Sequence, residues 1–114
     1  CRAGGQRGAA YSRAVRSPLD DVTPAQRTAI LAVCLGADGR IALMPRKWVK
    51  KLVLLDHVAQ RFDIGVYYTE LEVNAVLREL ADDYVAVRRY LVDAGFLSRD
   101  AGTYWRTGGS VSDE

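Results

Sequence analysis

One histidine, two cysteines and a pair of adjacent aspartates are the groups in this 114-residue chain whose types suit catalytic or metal chemistry. His57 has no serine or cysteine partner at a spacing used in nucleophilic catalysis. Cys1, Cys34 and His57 lack the spacing of zinc ligands, and Cys34 lies in an apolar run where a thiol acts as a small apolar side chain. Asp82 and Asp83 stand at a helix start, where capping explains them. There is no glycine-rich phosphate loop. These residues predict a protein that is not an enzyme and holds no metal and no cofactor. What remains is recognition chemistry: guanidinium, ammonium and aromatic groups able to meet phosphate or base edges, namely Arg89, Tyr90, Arg99, Arg106, Lys47, Lys50 and Lys51.

Size and charge bound the scaffold that must position them. Sixteen Lys+Arg against 14 Asp+Glu give a formal charge of +2, with 49% hydrophobic residues, an ordinary composition for one small domain. The uncharged stretch from Thr28 to Ala37 is ten residues, too short to span a bilayer, and predicts a protein without a membrane partner. Two cysteines in a chain large enough to fold without staples suggest a reducing, cytoplasmic setting. A start at Cys1 suggests a piece of something longer. Residues 1–19 carry Arg2, Arg7, Arg13 and Arg16 with no acid among small residues and read as a flexible basic arm or linker; 107–114 read as a disordered tail. The folded domain is expected between about 20 and 106.

Inside it, Thr23-Pro24-Ala25-Gln26 combines a hydroxyl N-cap, proline at the first helical position and a capping box, so a helix should run to about Leu35 and stop at a left-handed Gly36. A second helix, about Lys47 to Arg61, lines up Trp48, Leu52, Leu55, Ala59 and Phe62 as one apolar stripe, with Arg46, Lys50, His57 and Arg61 opposite. Val66-Tyr67-Tyr68 suits a short strand. Thr69 and Glu72 form a second capping box, with Val73, Val76, Leu77 and Leu80 on the inner face of the helix they start. After the break at Ala81-Asp82-Asp83, Tyr84 to Ala94 makes the last helix, closed at Gly95 with Phe96 in a Schellman arrangement. Then Phe96–Arg99 and Thr103–Arg106 flank a three-residue turn, Asp100-Ala101-Gly102, and make a hairpin.

Helix, short strand, helix, tight turn, helix, hairpin is the winged helix-turn-helix order, so the expected fold is α+β, mostly helical with a small hairpin and one extra helix in front. Several pieces also carry a resemblance: Asp38-Gly39-Arg40-Ile41, Tyr68-Thr69-Glu70, Glu72-Val73-Asn74, Asp82-Asp83-Tyr84, Leu91 to Leu97 and Tyr104-Trp105-Arg106. Together they resemble a bacterial domain of unknown function, number 2087, over about residues 37–106. The resemblance implies a transcription-linked setting, since that domain is often fused behind ArsR-type DNA-binding regulators, and brings no catalytic residues.

In a winged helix the last helix enters the major groove and the wing straddles a backbone. At 100° per residue, Asp82, Ala86, Arg89, Tyr90 and Asp93 form the outward face of the last helix, with the two aspartates opposing the arginine near phosphate. Between 40 and 106 there are 11 basic and 9 acidic residues, a small surplus for a high-affinity DNA reader. The expected partner is therefore double-stranded DNA in weak or auxiliary contact, through Arg89, Tyr90, Arg99 and Arg106 with Lys47, Lys50 and Lys51 in support. The alternative is a protein-interaction or dimerisation domain, as a homodimer or on a regulator protein, using helix 24–35. An exposed Tyr104 or Trp105 would keep stacking on an unpaired base open. Arg88 falls among Tyr84, Leu91 and Val92 and is expected inside as a structural tie, paired with Glu72 or Asp56.

Overall fold

The computed structural model describes residues 18–109; the expectations for the arm before Pro18 and for residues beyond 109 lie outside the described residues. A 3-10 turn, Pro18–Asp21, leads into α1 (Pro24–Cys34), α2 (Trp48–Ala59), β1 (Tyr67–Thr69), α3 (Glu70–Arg78), α4 (Tyr84–Asp93), β2 (Leu97–Asp100) and β3 (Thr103–Arg106). The strands form one antiparallel sheet in the order β1-β3-β2. Four helices and a small sheet among the described residues make an α+β unit whose element order is consistent with a winged-helix-like arrangement.

Local chemistry accounts for most of the boundaries. At α1, the Thr23 hydroxyl accepts from the Gln26 amide at 3.1 Å while the Gln26 side chain accepts from the Thr23 amide at 2.9 Å. Thr69 and Glu72 repeat the arrangement at α3, at 3.1 and 2.8 Å. Asp83 caps α4 through the Ala86 amide. The α4 stop has the Schellman pattern: the Phe96 amide donates to the Leu91 carbonyl and the Gly95 amide to that of Val92.

Three expectations are corrected. Gly36 is not left-handed; α1 ends because Leu35 turns extended (φ −105°, ψ 140°) and bridges to Ile41, a pairing that supplies the backbone partners a glycine stop would have supplied. The hairpin turn has two residues, since Asp100 pairs with Thr103, and both Ala101 (φ 51°) and Gly102 (φ 83°) are left-handed, as a type I′ connection demands. The folded part does not stop at Arg106: the Thr107 amide donates to the Phe96 carbonyl at 2.9 Å, its hydroxyl donates to the Gly95 carbonyl at 2.9 Å, and the chain stays packed through Gly109.

The core forms where α2, α3, α4 and the sheet meet, around Leu55, Phe62, Val73, Leu77, Leu91 and Tyr104, all fully buried. Each large apolar side chain there contributes about 1.5–3 kcal/mol of transfer free energy. Helix α2 is central rather than one-striped: Val53 and Leu54 are as buried as Leu52 and Leu55, because α1 covers its other side. Trp48, expected in the stripe, is 48% exposed at the N-terminal end, which this packing does not reach. The burial of Asp56 follows from the same central position.

Candidate nucleic-acid interface

Where α4 passes the hairpin, the structure forms a groove of about 300 Å³. From α4 it takes Val85, Arg88, Arg89, Val92 and Asp93, and from the hairpin Arg99 and Tyr104. Helical spacing puts Arg88 and Val92 toward the hairpin and turns Val85, Arg89 and Asp93 outward. On the β2–β3 pair, Arg99 lies opposite Tyr104, its guanidinium 5.9 Å from the ring centre. Thus Arg89 and Arg99, ten residues apart on consecutive elements, share one concavity, and both are exposed.

Beneath them lies a polar network. Arg88, with 17% of its side chain exposed, donates to Asn74 Oδ1 at 2.5 Å and stands 3.7 Å from Glu70 Oε2. Tyr104 donates its hydroxyl to Glu70 Oε1 at 3.3 Å and is itself fully buried. Arg88 is therefore turned inward, but with different partners from those expected. Glu72 is occupied by its capping box, and Asp56 by Arg27, 2.8 Å away. Because Glu70 balances Arg88, the open charge in the groove is that of Arg89 and Arg99 against Asp93.

The remaining predicted contacts scatter. Arg106 is 8% exposed and faces inward: its Nε donates to the Gly108 carbonyl at 2.9 Å and its Nη1 to the Phe62 carbonyl at 3.2 Å. It is a tie between β3, the end of α2 and the chain after the sheet, not a surface contact. Tyr90 is half-buried against the core, with the Lys51 ammonium 4.4 Å above its ring. Consecutive residues on α2 diverge, so Lys51 turns toward α4 whereas Lys50 turns toward α1, where it lines a separate groove with Lys47. On the aromatic side, Tyr104 is buried, and Trp105 is half-buried with its ring edge-on to Tyr67 at 5.6 Å. Asp82, expected to oppose phosphate, instead meets the Arg40 guanidinium, which also donates to the Arg78 carbonyl at 2.8 Å.

His57 is half-buried in α2; burial, then Arg27 and Arg61, push it below the ordinary histidine range. Burial pushes the Cys34 thiol up, which leaves less of the nucleophilic thiolate. No cluster of three or more metal-ligating side chains occurs among the described residues. No helix among them is long and apolar enough to cross a membrane.

Residues 40–106 match the model of DUF2087, described as an uncharacterized protein conserved in bacteria. The chain belongs to the DUF2087 family. The matched segment holds α2, α3, α4 and the whole sheet, hence both arginines of the groove and the Glu70–Arg88–Asn74 network beneath them. Helix α1, and with it Arg27, precedes the DUF2087 segment. Searches of curated proteins and of solved structures found no match.

Arg27 escaped the sequence reading, and Arg40, Glu70 and Asn74 entered it only through the family resemblance, with no structural role assigned. A signal existed for one of the buried groups. Period two along β3 puts Arg106 on the side of Tyr104, so an inward Tyr104 implies an inward Arg106.

Proposed function

We propose that this DUF2087 domain is a winged-helix module of a bacterial transcriptional regulator that makes weak, auxiliary contact with double-stranded DNA through α4 and the hairpin. The observation that carries the reading is the placement of Arg89 and Arg99, both exposed, on the two sides of the groove between the last helix and the wing. Two guanidinium groups so placed suit adjacent phosphates or a phosphate and a guanine edge. Lys51 stands beside α4 and adds to the same field. The fusion to ArsR-type regulators that the family resemblance implies supports a setting near DNA, where an auxiliary contact gains from being tethered.

Magnitude and test follow from the count of cations. Three groups neutralising three phosphates give a log–log salt slope of about −2.7, so affinity for a random duplex should fall about 40-fold between about 50 and 200 mM salt. Fluorescence anisotropy measures this. Replacing both Arg89 and Arg99 by alanine should shift the slope toward about −1. Absence of binding at the lower salt, or a slope that the double substitution leaves unchanged, refutes the proposal.

A further inference from the structure

A second feature lies outside the groove of α4 and does not depend on DNA binding. Helix α1 has eleven residues, yet Cys34 is its single buried one. Isolated helices this short are marginal in water and depend on packing for their stability. Between α1 and the chain leading into α2 runs an open groove of about 550 Å³ whose apolar lining includes Ile30, Val33, Leu43 and Met44. Val33 is 65% exposed and Leu43 50%. Around it stand three cations, Arg46, Lys47 and Lys50, and no acid contributes to its lining. A neighbouring concavity of about 530 Å³ shares Ala29, Ile30 and Lys50 and adds Val22 and Val49, extending the apolar strip along α1 to a far end where Asp21 and Gln26 join the lining, so the one-signed rim is that of the first groove. An apolar surface rimmed by polar groups is the usual mark of an interaction site.

From the apolar floor and the one-signed rim, we infer that this groove docks an amphipathic helix of a partner protein that carries acidic residues beside its apolar stripe. Charge or composition argues against a second copy and against the segments at either end of this sequence. The segment before Pro18 carries four arginines and no acid, the same sign as the rim. Two copies meeting face to face would set three cations against three. The last five residues, Ser-Val-Ser-Asp-Glu, bring acids but only one apolar side chain, Val111. A helix of opposite charge fills the groove with residues at i, i+3, i+4 and i+7 and sets its carboxylates against Arg46, Lys47 and Lys50.

The probe is a fluorescein-labelled amphipathic peptide of about 16 residues with leucines at those spacings and glutamates between them, paired with a twin carrying lysines instead. The full chain should bind the acidic peptide at least tenfold more tightly than its basic twin, and the K47E/K50E double variant should invert that preference. Val33→Asp, at an exposed position, should weaken the acidic peptide by removing apolar contact and adding a like charge, while the melting temperature stays unchanged. Equal affinity for the two peptides, no binding of either at about 100 μM, or concentration-dependent dimerisation abolished by Val33→Asp overturns the proposal. So does a loss of duplex affinity in K47E/K50E with peptide preference unchanged, which would assign these lysines to phosphate.

Discussion

Replacing Arg106 by methionine tests the most consequential difference between residue type and residue role in this fold. Methionine keeps much of the apolar stem but removes every donor. The Phe62 carbonyl then loses a buried partner, costing about 1–3 kcal/mol, and the half-exposed Gly108 carbonyl loses a bond that contributes about 0.5–1.5 kcal/mol. Together these predict about 1.5–4.5 kcal/mol of destabilisation, which for a unit of this size lowers the melting temperature by about 6–36 °C. Urea unfolding followed by circular dichroism, with Arg99→Ala as the comparison, reads the effect. Arg99→Ala should melt like the parent and bind duplex more weakly. Arg106→Met, held below its lowered melting temperature, should retain the parent's salt slope. If Arg106→Met instead stays within about 1 kcal/mol of the parent while duplex affinity falls, the inward assignment of this guanidinium is wrong.

Other outcomes follow from the same structure. Arg88→Ala should cost about 1–3 kcal/mol by stripping the buried Asn74 side chain of its donor, whereas Arg89→Ala, which removes no ion pair among the described residues, should leave the melting temperature unchanged. Ala101→Asn should stabilise the hairpin by about 0.5–1 kcal/mol, because a left-handed φ of 51° costs asparagine less than alanine; thermal melts check this. His57 is held below its unfolded value near 6.5, so as pH falls through that value the unfolded chain binds a proton that the folded chain refuses. Stability should therefore decline from about pH 7 downward and level off below the folded value, and His57→Gln should remove this component from urea midpoints measured across the range.

Local signals in the sequence carried much of the fold. Thr23 with Gln26, and Thr69 with Glu72, fix two helix starts through atoms three residues apart, and the Gly95-Phe96 stop is equally local. Such signals need no knowledge of what packs where. The inward turn of Arg88 was legible too, because one helix wheel sufficed. Its partners were not: Asn74 and Glu70 come from another helix, and choosing them over Glu72 requires knowing that the capping box already occupies that carboxylate. Arg106 misled because a charged residue at the end of a wing reads as surface unless strand alternation is given more weight than residue type. Asp56 falls on the apolar stripe of its helix, four residues from Leu52, but Arg27 reaches it from an element whose docking no local pattern specifies. The grouping of Lys47, Lys50 and Lys51 failed for a similar reason, since neighbouring helices on two sides divide a run that looks continuous in one dimension.

The chain after the sheet bears on how fragments of this protein should be cut. Gly109 has a φ of +94°, and a side chain there would meet an Asp56 carboxylate oxygen at 2.9 Å and an Arg106 nitrogen at 3.3 Å. At the other end, Arg27 supplies the ion pair to that same Asp56. The family segment, 40–106, thus has smaller borders than the packed unit: expressed alone, it would keep the Gln60 side chain 3.3 Å from the buried Asp56 carboxylate but lose the Arg27 ion pair and the close packing of Gly109 over it. Deletion endpoints placed upstream of Thr23 and downstream of Gly109 respect the electrostatics, and a purification tag joined directly to Arg106 would not.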